Sequence, residues 1–256
     1  MKHLLHTAAA FALLGTTLQA DFTRIEMGVG GWNQEPSGYI SYTESNTIGG
    51  KYTTNGLDDT STYAWMLIKH PIPILPNIRL EYTNIDDKGS VKGTFEHFDT
   101  RGNFQDATLS MKEYDIIPYY NILDNTMWTT LDLGIDLKVI DSTFEAKGVT
   151  LRGNSIPNTT YTDSETIVVP MGYARVRVEI PATGFGLESD VKYITYDGST
   201  VYDVRAKVDY TFDLSVIKPA LELGYRVQKF DITSDDDKTK MDMDFSGVYA
   251  GLMLRF

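Results

Sequence analysis

The sequence predicts an all-β fold, a transmembrane antiparallel up-and-down β-barrel of about ten strands, on three observations. Segments of about ten residues recur in which apolar and polar side chains alternate, as in strands that separate lipid from a polar interior. The connections between these segments are alternately long and short. The final segment, Val248 to Phe256, puts Val248, Ala250, Leu252, Leu254 and Phe256 on one face and Arg255 on the other. A strand at the end of a soluble sheet would share the last pattern, but not the other two.

The segments follow in chain order. Phe22 to Gly31 sets Ile25, Met27 and Val29 against Arg24, Glu26, Gly28 and Gly30, and Thr62 to Lys69 offers Tyr63, Trp65 and Leu67 to lipid. Asn77 to Asn84 sets Ile78, Leu80 and Tyr82 against Arg79 and Glu81. Ala107 to Tyr120 begins with Leu109 and Met111 and loses its alternation near Glu113, where a bulge is expected. Met127 to Ile140 is the clearest, with Leu131, Leu133, Ile135, Leu137 and Val139 opposing Thr130, Asp132, Gly134, Asp136 and Lys138. Ile167 to Ile180, Phe185 to Tyr196, Val201 to Phe212 and Ile217 to Phe230 repeat the design, and Val248 to Phe256 closes it.

Residues 33 to 61, 85 to 106, 141 to 166 and 231 to 244 form the long connections. The short ones centre on Pro71-Ile72-Pro73, Leu123-Asp124-Asn125, Pro181-Ala182-Thr183 and Asp213-Leu214-Ser215. The connection after the seventh segment departs from the rule, with an Asp197-Gly198 pair suited to a two-residue hairpin. An even number of strands, with long loops on one side and short turns and both termini on the other, is the plan of a bacterial outer-membrane barrel.

The amino terminus fits that plan. Lys2, the apolar run Ala8 to Leu14 and the small-residue site Leu18-Gln19-Ala20 read as a signal peptide over 1–20, leaving a barrel domain over 21–256. No later stretch reaches the roughly 18 apolar residues of a spanning helix. The chain has no cysteine, which excludes disulfides, thiolate chemistry and a lipid-bearing cysteine after the signal.

Charge divides between the two surfaces. The expected lumen face carries Arg24, Arg79, Lys138, Arg175, Arg177, Lys192, Arg205, Lys207, Arg226 and Arg255. Against them stand Glu26, Glu81, Asp132, Asp136, Glu179, Glu188, Asp190, Asp203, Asp209 and Glu222, an even balance. Cross-strand ion pairs are expected there. The net charge of −12 therefore sits in the long loops, densest at Asp58-Asp59, Asp86-Asp87 and Asp235-Asp236-Asp237. Such loops attract divalent cations or cationic ligands and repel nucleic acid.

The run Asp21-Phe22-Thr23-Arg24-Ile25-Glu26-Met27-Gly28-Val29-Gly30-Gly31-Trp32, together with a terminal strand ending at Phe256, resembles a family of small bacterial outer-membrane β-barrel proteins with a glycine-rich first strand. The resemblance implies contact with outer-membrane lipid and recognition by the barrel insertion machinery through Phe256. It implies no activity.

Chemistry-bearing constellations are sparse. Beyond the signal peptide the histidines are His70, at a short turn, and His97, in Glu96-His97-Phe98-Asp99. Proteases of the omptin kind also use ten strands with Asp and His at the outer rim, so His97 with Asp99, Asp86 or Asp87 forms the enzymatic alternative. Gly28-Val29-Gly30-Gly31 has no helix after it and is no nucleotide loop; its glycines at 28 and 30 leave room for bulky lumen side chains. Asp242-Met243-Asp244-Phe245-Ser246-Gly247 starts like a calcium loop, but its twelfth position is Met253. Tyr63, Trp65, Tyr82 and Tyr193 read as one aromatic girdle, and Trp128, Tyr210, Phe212 and Phe256 as the other. No catalytic, cofactor or metal residue is assigned. The expectation is a non-enzymatic outer-membrane protein, its narrow or plugged lumen too small for large-solute porin traffic, serving as a small pore, a surface binder or a structural element.

Overall fold

A computed structural model of the chain describes residues 24–44, 47–57, 59–72, 74–152, 156–214, 217–234 and 238–256. The expected signal peptide at 1–20, residues 21–23, Asp58, Pro73, Ser215 and the run Asp235-Asp236-Asp237 lie outside the described residues. The strands are β1 (Arg24–Glu44), β2 (Thr47–Thr54), β3 (Asp59–Lys69), β4 (Asn77–Gly93), β5 (Phe98–Asp99), β6 (Gln105–Thr126), β7 (Thr129–Leu151), β8 (Thr159–Glu179), β9 (Phe185–Tyr196), β10 (Ser199–Thr211), β11 (Lys218–Thr233) and β12 (Thr239–Arg255). All pair antiparallel with their neighbours, and β12 pairs with β1 from Glu26↔Arg255 to Tyr42↔Thr239, which closes the sheet.

The ring has ten positions because β2 and β3 share one of them and the two-residue β5, which pairs only with β7, lies off it. Both run down from β1, β2 against Tyr39 to Glu44 and β3 against Arg24 to Gln34. The break between them faces Glu35 to Gly38, where Pro36 has no N–H to donate and Gly38 adopts φ 118°. The result is a transmembrane, closed, antiparallel ten-stranded barrel. Arg24 and Phe256 meet at one end, where the Phe256 amide donates to the Ile25 carbonyl at 3.0 Å. We call this the terminal end and the opposite one the distal end.

Alternation assigns the two faces as expected along most of the wall. Val29, Ile135, Leu223, Val248 and Leu252 are more than half exposed on the outside, whereas Lys138, Lys192, Asp132 and Asp203 are fully buried inside. The turn at Asp197-Gly198 is the anticipated tight hairpin, with φ 48° and 78°. Met127 and Trp128 make a similar turn at the terminal end, at φ 51° and 63°.

Three expectations are corrected. The long connections are largely strand: β1 with β2, β4 with β6, β7 with β8 and β11 with β12 continue their pairing into 33–61, 85–106, 141–166 and 231–244. Beyond the lipid band the wall reverses polarity, with apolar side chains inward and polar ones in water, so these stretches looked like loops. The break near Glu113 is the same reversal and no bulge: Leu109, Met111, Glu113, Asp115, Ile117 and Tyr119 are all buried on the inner face in unbroken register with β4. The irregular pairing of β6 lies instead at Asn121 to Thr126.

Tyr63 and Trp65 belong to the lumen rather than to a girdle, being 9% and 6% exposed, and Leu67, expected with them on the lipid side, is buried on the same inner face. Both faces of β3 are apolar, so alternation could not choose between them; Ala64, Met66 and Ile68 are the outward set. The inward glycines decide the matter. A Cβ on Gly28 would lie 2.5 Å from the Trp65 indole nitrogen, and one on Gly30 would lie 2.2 Å from the Ala250 carbonyl and 2.5 Å from the Tyr63 hydroxyl. Gly30→Val is therefore expected to destabilise the barrel by about 3 kcal/mol through overpacking at the seam. Gly172→Ala, whose new methyl meets only ordinary contact at 3.7 Å, should be neutral. Heat-modifiable gel mobility after refolding measures both.

Candidate functional site: an ion-filled lumen beneath a distal cup

The lumen is filled by ionic side chains. Burying a charge is tolerated when it is paired and its remaining hydrogen-bonding capacity is met, and here most carboxylates bridge two cations. Near the distal end Lys138 Nζ lies 3.1 Å from Glu113 and 2.8 Å from Asp115, while Arg226 grips Asp203 at 2.9 and 2.6 Å. Lower down, Lys192 Nζ donates to Glu81 and Asp115 at 2.6 Å each. Arg205 reaches Glu81 at 2.5 Å and Asp190 at 2.7 Å, and Arg79 reaches Glu81 at 2.5 Å. Arg175 joins Asp132 to Glu188 at 2.6 and 2.7 Å, and Arg177 holds Asp209 by both arms of its guanidinium at 2.7 and 3.1 Å. At the terminal end Arg255 also reaches Asp209, and Arg24 pairs with Glu26 and Glu179.

The expected even balance of lumen charge needs correcting, because Glu113, Asp115 and, nearer the distal end, Asp87 also face inward and give the acids a surplus of three. The fully buried Asp136 has no hydrogen-bond partner on either oxygen among the described residues. Aromatic rings fill what the ions leave. Trp65 lies between Lys207 at 4.6 Å and Arg79 at 5.0 Å, and Arg226 covers Trp32 at 4.7 Å. Glu222 accepts from Tyr63 at 2.8 Å and from Trp65 at 3.2 Å. A void of about 10 Å³ lies among these groups, roughly the room of one water.

Above the ions lies a cup of about 390 Å³ with an apolar lining that includes Ile40, Tyr52, Phe98, Leu109, Met111, Ile140, Phe144, Phe230, Ile232 and Met241. Phe98 anchors it, stacked on Phe95 at 4.6 Å and tilted against Tyr161 at 4.8 Å. The rim includes Glu96, His97, Asp163 and Glu165. Burial and the neighbouring Asp163 push the Tyr161 hydroxyl up to about 12, so it stays a hydrogen-bond donor near neutrality. Nothing in the sequence reading assembled this cup. Its signal was present, as reversed alternation in Met241, Met243 and Phe245 against Asp242, Asp244 and Ser246.

The residues singled out for chemistry do not converge. His97 is exposed at the rim, its ring 6.0 Å from Tyr161, and no hydrogen bond joins it to a carboxylate among the described residues. Asp99 accepts from Thr94 and from the Arg101 amide, and Asp86 from Ser110 at 2.6 Å. Asp87 points inward and accepts from Tyr52 and Thr54 at 2.7 Å each; burial, opposed by those bonds, holds its carboxyl above the ordinary value. His70 sits at the terminal end against the Pro76 carbonyl. Asp242 and Asp244 lie on a strand, ion-paired to Lys229 at 3.0 and 2.9 Å. No group of three or more metal-ligating side chains occurs among the described residues.

Glu81 receives three cations, so Glu81→Gln leaves Arg79, Lys192 and Arg205 short of countercharge in a buried setting. A loss of about 3 kcal/mol is expected, read as a lower urea midpoint for the heat-modifiable form, with the exposed Glu35→Gln unchanged.

No protein-family model matches the chain, and no curated protein matches its sequence. Among solved structures it is similar to the transport unit of the autotransporter AIDA-I from Escherichia coli, at 11% identity over 97% of each chain with a TM-score of 0.37. It is also similar to the outer membrane protease OmpT from Escherichia coli, at 12% identity over 93% of this chain and 98% of that one, with a TM-score of 0.57. At such identity the likeness to OmpT is one of fold, a closed antiparallel barrel of the outer-membrane kind.

Proposed function

We propose that the chain is a non-enzymatic bacterial outer-membrane protein that binds an apolar ligand or side chain in its distal cup, above a lumen closed to solutes. The observation that carries this reading is the pairing of an apolar cavity of about 390 Å³ with a floor of buried ion pairs. A cavity of that size and lining suits a small organic group, and the floor gives it no way through. In this reading residues 1–20 direct export, the terminal end faces the periplasm, and the acidic rim gathers divalent cations or cationic ligands from the medium. The separate engagements of Asp86, Asp87 and Asp99, away from His97, support binding over hydrolysis.

Soaking crystals with 4-bromophenol should give an anomalous peak among Met111, Phe144 and Phe230, and Ile140→Trp, which puts a bulky ring among the residues that line the cup, should abolish it there. Planar bilayers containing the protein should show no conductance steps. A peak confined to other sites would overturn the binding reading, and regular steps would overturn the sealed lumen.

Insertion is proposed to depend on Phe256, which hydrogen-bonds across the seam to β1. Deleting it should lower the heat-modifiable fraction in outer membranes several-fold, whereas an unchanged fraction would remove that role.

A further inference from the structure

The distal wall has a gap two strands wide. β9 and β10 turn back at Asp197-Gly198, while β8 runs on to Thr159. As a result β8 pairs with β7 over its whole distal part but with β9 only from Gly172 to Glu179. Among the described residues no backbone hydrogen bond reaches its other edge from Thr159 to Val169. Beyond the gap stands β11, which pairs with β10 up to Asp231 and ends at Thr233. Strands in a sheet lie about 4.8 Å apart, so the space vacated by β9 and β10 admits an added strand.

An open edge is a row of N–H and C=O groups waiting for a partner, and extended peptides bind such edges by main-chain hydrogen bonds while alternate side chains enter neighbouring pockets. The inner face of this edge opens directly into the cup through Tyr161, Asp163, Glu165 and Ile167. Asp163 and Glu165 are exposed at that mouth, and Phe230 and Ile232 line the cup from the far side of the gap. The chemistry asked of a partner strand is therefore basic where it passes the two carboxylates and apolar where it dips into the cup.

We propose that the free edge of β8 takes up an extended peptide segment of another protein as an added strand, its alternate basic and apolar side chains turned into the cup. This goes beyond ligand binding in the cup, and either can fail alone. The probe is an end-blocked octapeptide with lysine, lysine, valine and valine at its odd positions and threonine at its even ones, so that one face is basic and then apolar, titrated onto the protein in nanodiscs of zwitterionic lipid, with amide hydrogen exchange read along β8. Binding should slow exchange of the gap-facing amides between residues 160 and 168, and Asp163→Lys combined with Glu165→Lys should weaken it at least tenfold. Backbone N–H groups alternate in direction along a strand, so of two peptides methylated on alternate nitrogens one should lose binding and the other keep it. Equal binding by both, or binding without protection of β8, would overturn the proposal. Protection that grows with protein concentration in the absence of peptide would assign the edge to a second copy of this chain and overturn it likewise. Loss of peptide binding with 4-bromophenol still in the cup would refute the strand and leave the cup reading in place.

Discussion

A ring of ten strands encloses about as much space as its own inward side chains can fill, and in this barrel those side chains are ions. That single fact governs the rest. A lone ion there would be far from water, so nearly all of them, Asp136 apart, find countercharge, and many of the pairs that result tie strands that are not neighbours. Arg205 of β10 reaches Glu81 of β4, and Arg79 of β4 reaches Glu188 of β9. The wall is thus braced across its diameter as well as along its ladders. The inward glycines serve the same filling, because Trp65 and Tyr63 can reach Glu222 only where β1 has no side chains in the way.

The change of solvent along the outer face sets the second feature. Where lipid ends, the outer side chains turn polar, and the inner ones are then free to be apolar. The same alternating strand thus carries a membrane wall in one half and the wall of a small water-surrounded core in the other, reversed in sense and unbroken in register. The distal cup is the incomplete packing of that second core. It lies where the ions stop, at Met111 and Ile140, and it is open because β9 and β10 do not rise with the other strands.

How much of this was legible follows from the same physics. Strands such as β7, β8, β10 and β12 were readable because each sets lipid-facing apolar residues against charges, and only one orientation of such a strand is tolerable. β3 was misread because Tyr63, Trp65, Met66 and Ile68 make both of its faces apolar, and period alone cannot choose between them. Glu113 and Asp115 were missed because β6 crosses the solvent boundary next to them, so its inner face passes from apolar to ionic within one strand. The cup was invisible for a different reason. Its residues come from eight stretches far apart in sequence, and only the reversed alternation, plain in Met241 to Ser246, marks them as inward.

The seam between β1 and β12 carries a consequence for how the barrel forms. Its residues stand at opposite ends of the described chain, so closing it fixes the longest loop the molecule contains, at an entropic cost of about 5 kcal/mol. Nothing is recovered against that cost until the first rungs of the seam are in place, and from then on every rung up to Tyr42↔Thr239 adds without a further loop to close. An open, nearly complete sheet is therefore a poor resting place. It exposes two long edges and leaves Arg255 and Glu26 without each other, so closure behaves as one committed event rather than a gradual zippering through stable halves.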